Sequence, residues 1–334
     1  MTAPLDITRP TGAEIPLVLD SPHSGTLYPE DFQPAVSHEL LRQAEDSFVD
    51  ELYASAPALG ATLIAARFPR SYIDPNRSLL DIDTALLDSP WPGPAAASRK
   101  TELGIGLIWR VLDTGEPIYA RRLSVAEVKE RIVRYHQPYQ RAVRDALDRV
   151  HEHFGAVFHL NLHSMPAVSS KISEEGPGKS RADFVLGDRD GTTCEPGFTA
   201  LVAETLRALG YDVKINDPYK GVELVRAFSD PKAQRHSLQI EVNRRLYMDE
   251  RTREKTPGFA GLQADLDRLL AAVAAYASER GSHLCEGHDH DHHRGHGHDH
   301  DHHRHGHDHG HGHHDEAHPH EHGHGKSGGH RHEH

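Results

Sequence analysis

Apolar residues in this 334-residue chain fall into two kinds of stretch that take turns along it. Short, nearly continuous runs occur at residues 15–20 (IPLVLD), 61–66 (ATLIAA), 156–162 (AVFHLNL), 183–186, 212–215 and 237–242. Each has the length and density of a buried strand. The first stops at Ser21-Pro22-His23-Ser24-Gly25, where proline and glycine force a turn. Between the runs the period changes to three and four. Residues 37–56 read as a helix capped by Ser37, with Leu40, Leu41, Ala44, Phe48, Val49 and Leu52 on one face. In residues 124–153, Val125, Val128, Ile132, Tyr135, Tyr139, Val143, Leu147 and Val150 form the clearest helical stripe, which Pro138 kinks or splits. Residues 197–209, stopped by Gly210, and 261–277 complete the helices. Strands alternating with helices over long connections predict an α/β sheet covered on both faces.

Two segments have no period. Residues 81–117 are rich in Pro, Gly and small side chains, and a long structureless excursion in a compact domain is often a functional cover. Residues 171–180, rich in Gly, Glu and Lys, are expected to be mobile. Composition then divides the chain. Only eight of its 31 histidines precede residue 282: His23, His38, His136, His151, His153, His159, His163 and His236. This predicts a folded body over 1–281 and a disordered, His-rich metal-binding tail over 282–334.

The net charge of −13 argues against a nucleic-acid surface, which needs clustered Lys and Arg. No run of 18 apolar residues exists, so no membrane partner is expected. With two cysteines and no signal-like N-terminus, a cytoplasmic location is the default expectation.

Candidate chemistry sits where strands end. His23 follows the first strand, His163 follows residues 156–162, and Glu241 interrupts Leu238, Ile240 and Val242. The carboxyl ends of strands build the ligand crevice of open α/β sheets. A carboxylate inside an apolar strand is expensive unless paired or coordinated, which makes Glu241 the strongest single hint. Asp46, beside Glu45 on the predicted helix, is either a third metal ligand or an ordinary helix-surface acid. Asp74-Pro75-Asn76-Arg77, preceded by Arg67 and Arg70, either grips a carboxylate with a guanidinium fork and an amide or is a loop tied by ion pairs. G-x-S-x-G, P-loop, G-x-G-x-x-G and H-E-x-x-H motifs are all absent.

Taken in order, SPHSG (21–25), AEDSFVD (44–50), RFPRSYIDPNR (67–77), YHQPY (135–139), NLHSM (161–165), DFVLG with Asp190-Gly191, and QIEVNR (239–244) resemble the N-formylglutamate amidohydrolase family over about residues 14–275. The resemblance implies a three-layer α/β/α fold with a central mixed sheet, phosphorylase/hydrolase-like and related in architecture to zinc carboxypeptidases. It implies a Zn2+ ion, with other divalent metals also admissible, held by His23, Asp46 and His163, and Glu241 as the catalytic carboxylate. The implied reaction takes N-formyl-L-glutamate and water to formate and L-glutamate in histidine degradation. Arg77 with Asn76, and Arg70 and Arg226, are then the candidates for the carboxylates of a small acidic N-acyl amino acid. Other N-acyl amino acids or small amides, and a chiefly metal-handling protein, are the alternative readings.

Residues 287–324 alternate histidine with Asp and Gly, as at His288, His290, His292, His293, His296, His298 and His300. So many imidazoles should give several overlapping sites for divalent metals that weaken below about pH 6 as protons compete. Truncation after Gly281 should leave activity unchanged at saturating zinc but lose it sooner as buffered free zinc falls. Coincident activity curves for the two chains would deny the tail a role as metal reservoir.

Overall fold

A computed structural model of the chain describes residues 3–289, with side chains as far as residue 281. The tail metal ligands and the boundary proposed at residue 282 therefore lie outside the described side chains. The apolar runs form strands β2 (Leu17–Ser21), β3 (Thr62–Ala66), β4 (Val157–Met165), β5 (Phe184–Gly187), β6 (Val213–Ile215) and β7 (Arg235–Asn243). An edge strand, β1 (Leu5–Thr8), precedes them; its mostly exposed side chains left no apolar run to detect. The order is β1-β3-β2-β4-β7-β5-β6. β2, β3, β4 and β7 pair in parallel, as do β5 and β6, while β1 and β5 run antiparallel to β3 and β7. The sheet is thus mixed, as expected.

One face of this sheet is apolar and the other is not. Leu17, Leu19, Phe158, Leu160, Leu162, Leu238, Ile240 and Val242 join one core with α2 (Val49–Leu52), α6 (Pro196–Ala208) and α8 (Gly258–Asp289). The alternate positions point the opposite way, because successive strand side chains change faces. They carry Asp20, His159, Asn161, His163, Ser237, Gln239 and Glu241, all buried. This second face packs on α5 (Gln137–Phe154) through Tyr139, Val143, Leu147 and Val150, and beside it on α4 (Val125–Arg131) through Val128. The layers are therefore helix, sheet, helix.

The helix predicted over 37–56 breaks. One-turn α1 (His38–Leu41), capped by Ser37, leads into a 3-10 turn, an extended Glu45 and a left-handed Phe48 before α2 begins. Asp46 therefore lies in the break and not on a helix face. The break is stabilised by the Asp46 N–H donating to His23 O at 3.0 Å, a tertiary bond that outweighs local helical propensity. Pro138 stands at the start of α5 after a π-helical turn over Ile132–His136, so its missing N–H leaves no gap in the ladder. A one-turn α3 (Arg99–Glu102) lies within the long excursion, and short α7 (Glu223–Ala227) precedes β7.

The polar face is held by Asp20. Its Oδ1 accepts from His159 Nε2 and Asn161 Nδ2, both at 2.8 Å, and its Oδ2 accepts from Tyr139 at 2.7 Å. Burial would raise its pKa, but His159, Asn161 and Tyr139 hold it below the ordinary 3.8. Asp20→Ala leaves three buried donors without partners and should cost about 3–5 kcal/mol in urea unfolding. Because the folded value is depressed, the contribution should be complete above about pH 5 and lost as the pH falls through that value. A cost under about 1 kcal/mol at pH 7 would mean the network is not what holds this face.

Candidate active site

The chain passes from β2 to β3 on one side and later places β4 on the other, so the crevice at their carboxyl ends is a topological switch point. His23 stands in the turn leaving β2. Gly25 lets that turn lie against the next segment: a Cβ there would come within 2.4 Å of the Arg67 and Phe68 backbone. His163 lies within β4, immediately after the apolar run, and pairs in register with Glu241 on β7. The two strands thus set the imidazole and the carboxylate side by side on the polar face.

His23 Nε2 is 2.7 Å from Asp74 Oδ1, and His163 Nε2 is 2.7 Å from Asn161 Oδ1. His23 Nε2 faces a carboxylate, so that ring carries its proton on Nε2 and turns a bare Nδ1 inward; His163 Nε2 meets the acceptor Asn161 Oδ1 at 2.7 Å and the amide Nδ2 of Asn76 at 3.1 Å, and the shorter contact favours the same tautomer. The two Nδ1 atoms are 3.0 Å apart, and Asp46 Oδ2 lies 3.3 Å from one and 3.2 Å from the other. Three lone pairs facing each other in a buried pocket repel unless a cation lies between them. In a tetrahedral site with bonds of about 2.0–2.1 Å, donor atoms stand roughly 3.3 Å apart, close to what is seen here. Burial pushes the His163 pKa down to about 4, so a proton on that ring is not the compensating charge at neutral pH. His23, Asp46 and His163 are therefore a group able to hold a metal ion. Their outer partners, Asp74 and Asn161, orient the rings as second-layer groups do at metal sites.

Around this centre the charges are paired. Burial would raise the pKa of Asp46, but contacts with His163 and His23 and the charge of Arg70 hold it well below the usual value. Its Oδ1 accepts from Arg244 Nη2 at 2.9 Å. Asp74, depressed by His23, Arg70 and Arg77 against the effect of burial, also accepts from Arg70 Nη2 at 3.1 Å and Trp109 Nε1 at 3.3 Å. Glu241 behaves oppositely. Burial and the negative charge of Asp46 push it up to about 8, against the pull of Arg70, Arg181 and Arg244. Among the described residues only Gln239 Nε2, at 3.0 Å, donates to it.

His23, His163, Glu241, Asn76, Arg70 and Arg77 all border one cavity of about 120 Å3. Arg77 is 3% exposed; its Nε and Nη1 donate to the carbonyls of Ile105 and Asn76, and its Nη2 makes no hydrogen bond among the described residues. Asn76 is used by the protein: Oδ1 accepts from Leu224 N–H at 2.9 Å, and Nδ2 lies 3.1 Å from His163 Nε2. The structure does not bring Arg226 to this cavity. It is exposed, and its fork is taken by Glu223 in the same turn of α7. Glu45, the acid next to Asp46, accepts from Tyr28 and Ser47 instead of facing the centre. Lys100, Ile105, Trp109 and Asp113 of the long excursion form one wall, and Ser170, Ser173 and Glu175 another. Sequence reading gave Asp74 only as part of its cluster with Asn76 and Arg77, without a role toward His23, and passed over Asn161, Arg181 and Arg244 as site residues. The alternation F-H-L-N-L-H in β4 marks Asn161 as a face-mate of His163, but the other three are set by loop contacts that no period encodes.

Fold and site together define an α/β enzyme with a histidine–carboxylate centre at the carboxyl edge of its sheet. The profile of the N-formylglutamate amidohydrolase family matches residues 15–248, and the chain belongs to that family. It is 30% identical over 285 residues to an N-formylglutamate deformylase of Pseudomonas putida, covering 80% of this chain and 95% of that one. A solved N-formylglutamate amidohydrolase from Ralstonia eutropha JMP134 is 53% identical, covers 83% of this chain and 99% of its own, and superposes with a TM-score of 0.79. A protein from Agrobacterium tumefaciens, 16% identical over 82% of this chain and 96% of its own, shares the fold at a TM-score of 0.60.

His23→Ala or His163→Ala, made in a chain ending at Gly281 so that the tail contributes no ligands, should abolish tight binding of divalent metal. One equivalent of metal retained by either variant, measured by elemental analysis after dialysis, would remove that histidine from the ligand set.

Proposed function

We propose that the protein hydrolyses the amide of N-formyl-L-glutamate, releasing formate and L-glutamate, with Zn2+ as the metal held by His23, Asp46 and His163. The observation that carries this reading is the placement of Glu241 beside His163 in the register of β4 and β7, on the face where three metal-ligand atoms converge. The family and the names of the relatives at 30% and 53% identity support the substrate. A chiefly metal-handling role would leave Glu241 and its cavity without purpose.

Two neutral imidazoles and one carboxylate are the donor set of a catalytic zinc site that keeps a position open. A metal there would polarise the amide oxygen and acidify water. The remaining work falls to the chain itself. Glu241 takes a proton from the attacking water as its oxygen bonds to the formyl carbon, then delivers that proton to the leaving nitrogen as the C–N bond breaks. Burial and the charge of Asp46 raise the pKa of Glu241, the direction that suits a group that must return the proton it accepts. Arg77, with Nη2 uncommitted at the cavity wall, binds a carboxylate of the substrate. Arg70 stays fixed to Asp74 beneath Trp109 and balances the acids of the centre.

Among the described residues no helix is long and apolar enough to cross a membrane. A cytoplasmic enzyme in histidine degradation is the setting we propose, with the tail beyond residue 281 as its metal store.

Formate release should be fastest with N-formyl-L-glutamate in a panel with N-formylaspartate, N-acetylglutamate and N-formylmethionine. Faster turnover of any of these three would reassign the substrate. Glu241→Gln should retain metal and KM while kcat falls by roughly 100-fold or more. If that variant instead loses its metal, Glu241 is a ligand and not the proton carrier.

A further inference from the structure

An N-formyl dicarboxylic amino acid brings two carboxylates into the cavity, and Arg77 accounts for one. Arg70 is committed to Asp74, Arg244 to Asp46, Ser164 and Gln43, and Lys100 to Glu174 at 3.0 Å. The remaining guanidinium on the wall is Arg181. It is 7% exposed, lies 5.2 Å from the centroid of the Tyr219 ring, and its charge reaches Glu241. The protein holds it from behind, with Nη1 donating to Pro166 O at 3.2 Å and Nη2 to Ser173 Oγ at 3.0 Å.

The outer edge of the same fork is differently occupied. Arg181 Nε and Nη2 donate to Glu175 at 3.0 and 2.7 Å, and both bonds end on the same oxygen, Oε1. Among the described residues none donates to Glu175 Oε2. Glu175 itself borders the cavity, with its side chain 18% exposed, and it reaches the fork from a turn closed by Gly176 and Gly178 at φ +82° and +80°. A partly exposed carboxylate that fills a buried guanidinium with half of its acceptors occupies the position a ligand carboxylate would fill with both.

We propose that Arg181 binds the side-chain carboxylate of the substrate, and that Glu175 is an internal carboxylate occupying that fork until the substrate displaces it. The proposal rests on the N-formylglutamate reading and names the group that reads its side chain. A substrate carboxylate gives each N–H its own oxygen, whereas an uncharged side chain leaves Glu175 in place and gains nothing.

The test compares N-formyl-L-glutamate with N-formyl-L-norvaline, which has the same backbone and no side-chain carboxylate. Arg181→Met should lower the ratio of their kcat/KM values by about 10- to 100-fold, the range of a charged hydrogen-bonded contact. Arg181→Lys should fall between, since it keeps the charge and loses the fork. Glu175→Gln, on a partly exposed turn, should raise the ratio about 3-fold or more by removing the competing charge. An equal loss on both substrates in Arg181→Met, or a ratio unchanged or lowered in Glu175→Gln, overturns the assignment. If the wild type releases formate from neither compound, the substrate reading fails by itself and calorimetry decides the clamp. Glutarate should then bind the wild type more tightly than valerate, by a margin that Arg181→Met abolishes. Equal binding of the two acids by the wild type would overturn the clamp.

Discussion

Two imidazole nitrogens and a carboxylate oxygen, each offering a lone pair, are held within 3.0 to 3.3 Å of one another in a buried site. Left alone, such an arrangement would push itself apart. Everything around it is organised to prevent that: the rings cannot rotate because Asp74 and Asn161 hold their outer nitrogens, and Asp46 cannot withdraw because Arg244 holds its other oxygen. The frustration is aimed at a single point. A cation placed there converts mutual repulsion into shared attraction, which is why the same geometry that is costly when empty favours binding when filled.

The cost of such a centre is spread through the sheet. One face of β2, β4 and β7 is given to apolar packing, and the other to a continuous polar row that begins at Asp20 and His159 and ends at His163 and Glu241. Asn161 joins the two ends, donating to Asp20 and accepting from His163. The packing core fixes the strands, the strands fix the row, and the row fixes the ring. Glu241 is the exception in this row, with a single donor and a raised pKa, and that incompleteness is what suits it to move protons.

What was legible in the sequence follows from this division. Six of the seven strands and the helices covering them announce themselves by period, and His23, His163 and Glu241 stand out because polar groups interrupt or terminate apolar runs. Asp46 was found by its motif but set on a helix, because the local propensity of residues 37–56 is helical and the bond that breaks it comes from His23, 23 positions away. Arg226 was legible as a cation and illegible as a surface residue, since its partner Glu223 is its own neighbour in α7. Asp74, Arg181 and Arg244 act through contacts between loops and strands distant in the chain, where neither spacing nor period carries a signal.

The two cavity walls come from connections and not from the sheet. Lys100, Trp109 and Asp113 lie in the long excursion, and Ser173, Glu175 and Arg181 lie between β4 and β5. Bond cleavage and choice of ligand are thus encoded in separate stretches of the gene, the first in strands and the turns that leave them and the second in longer connections. A lineage could acquire a new preference by altering the second alone, through intermediates that never cease to be enzymes.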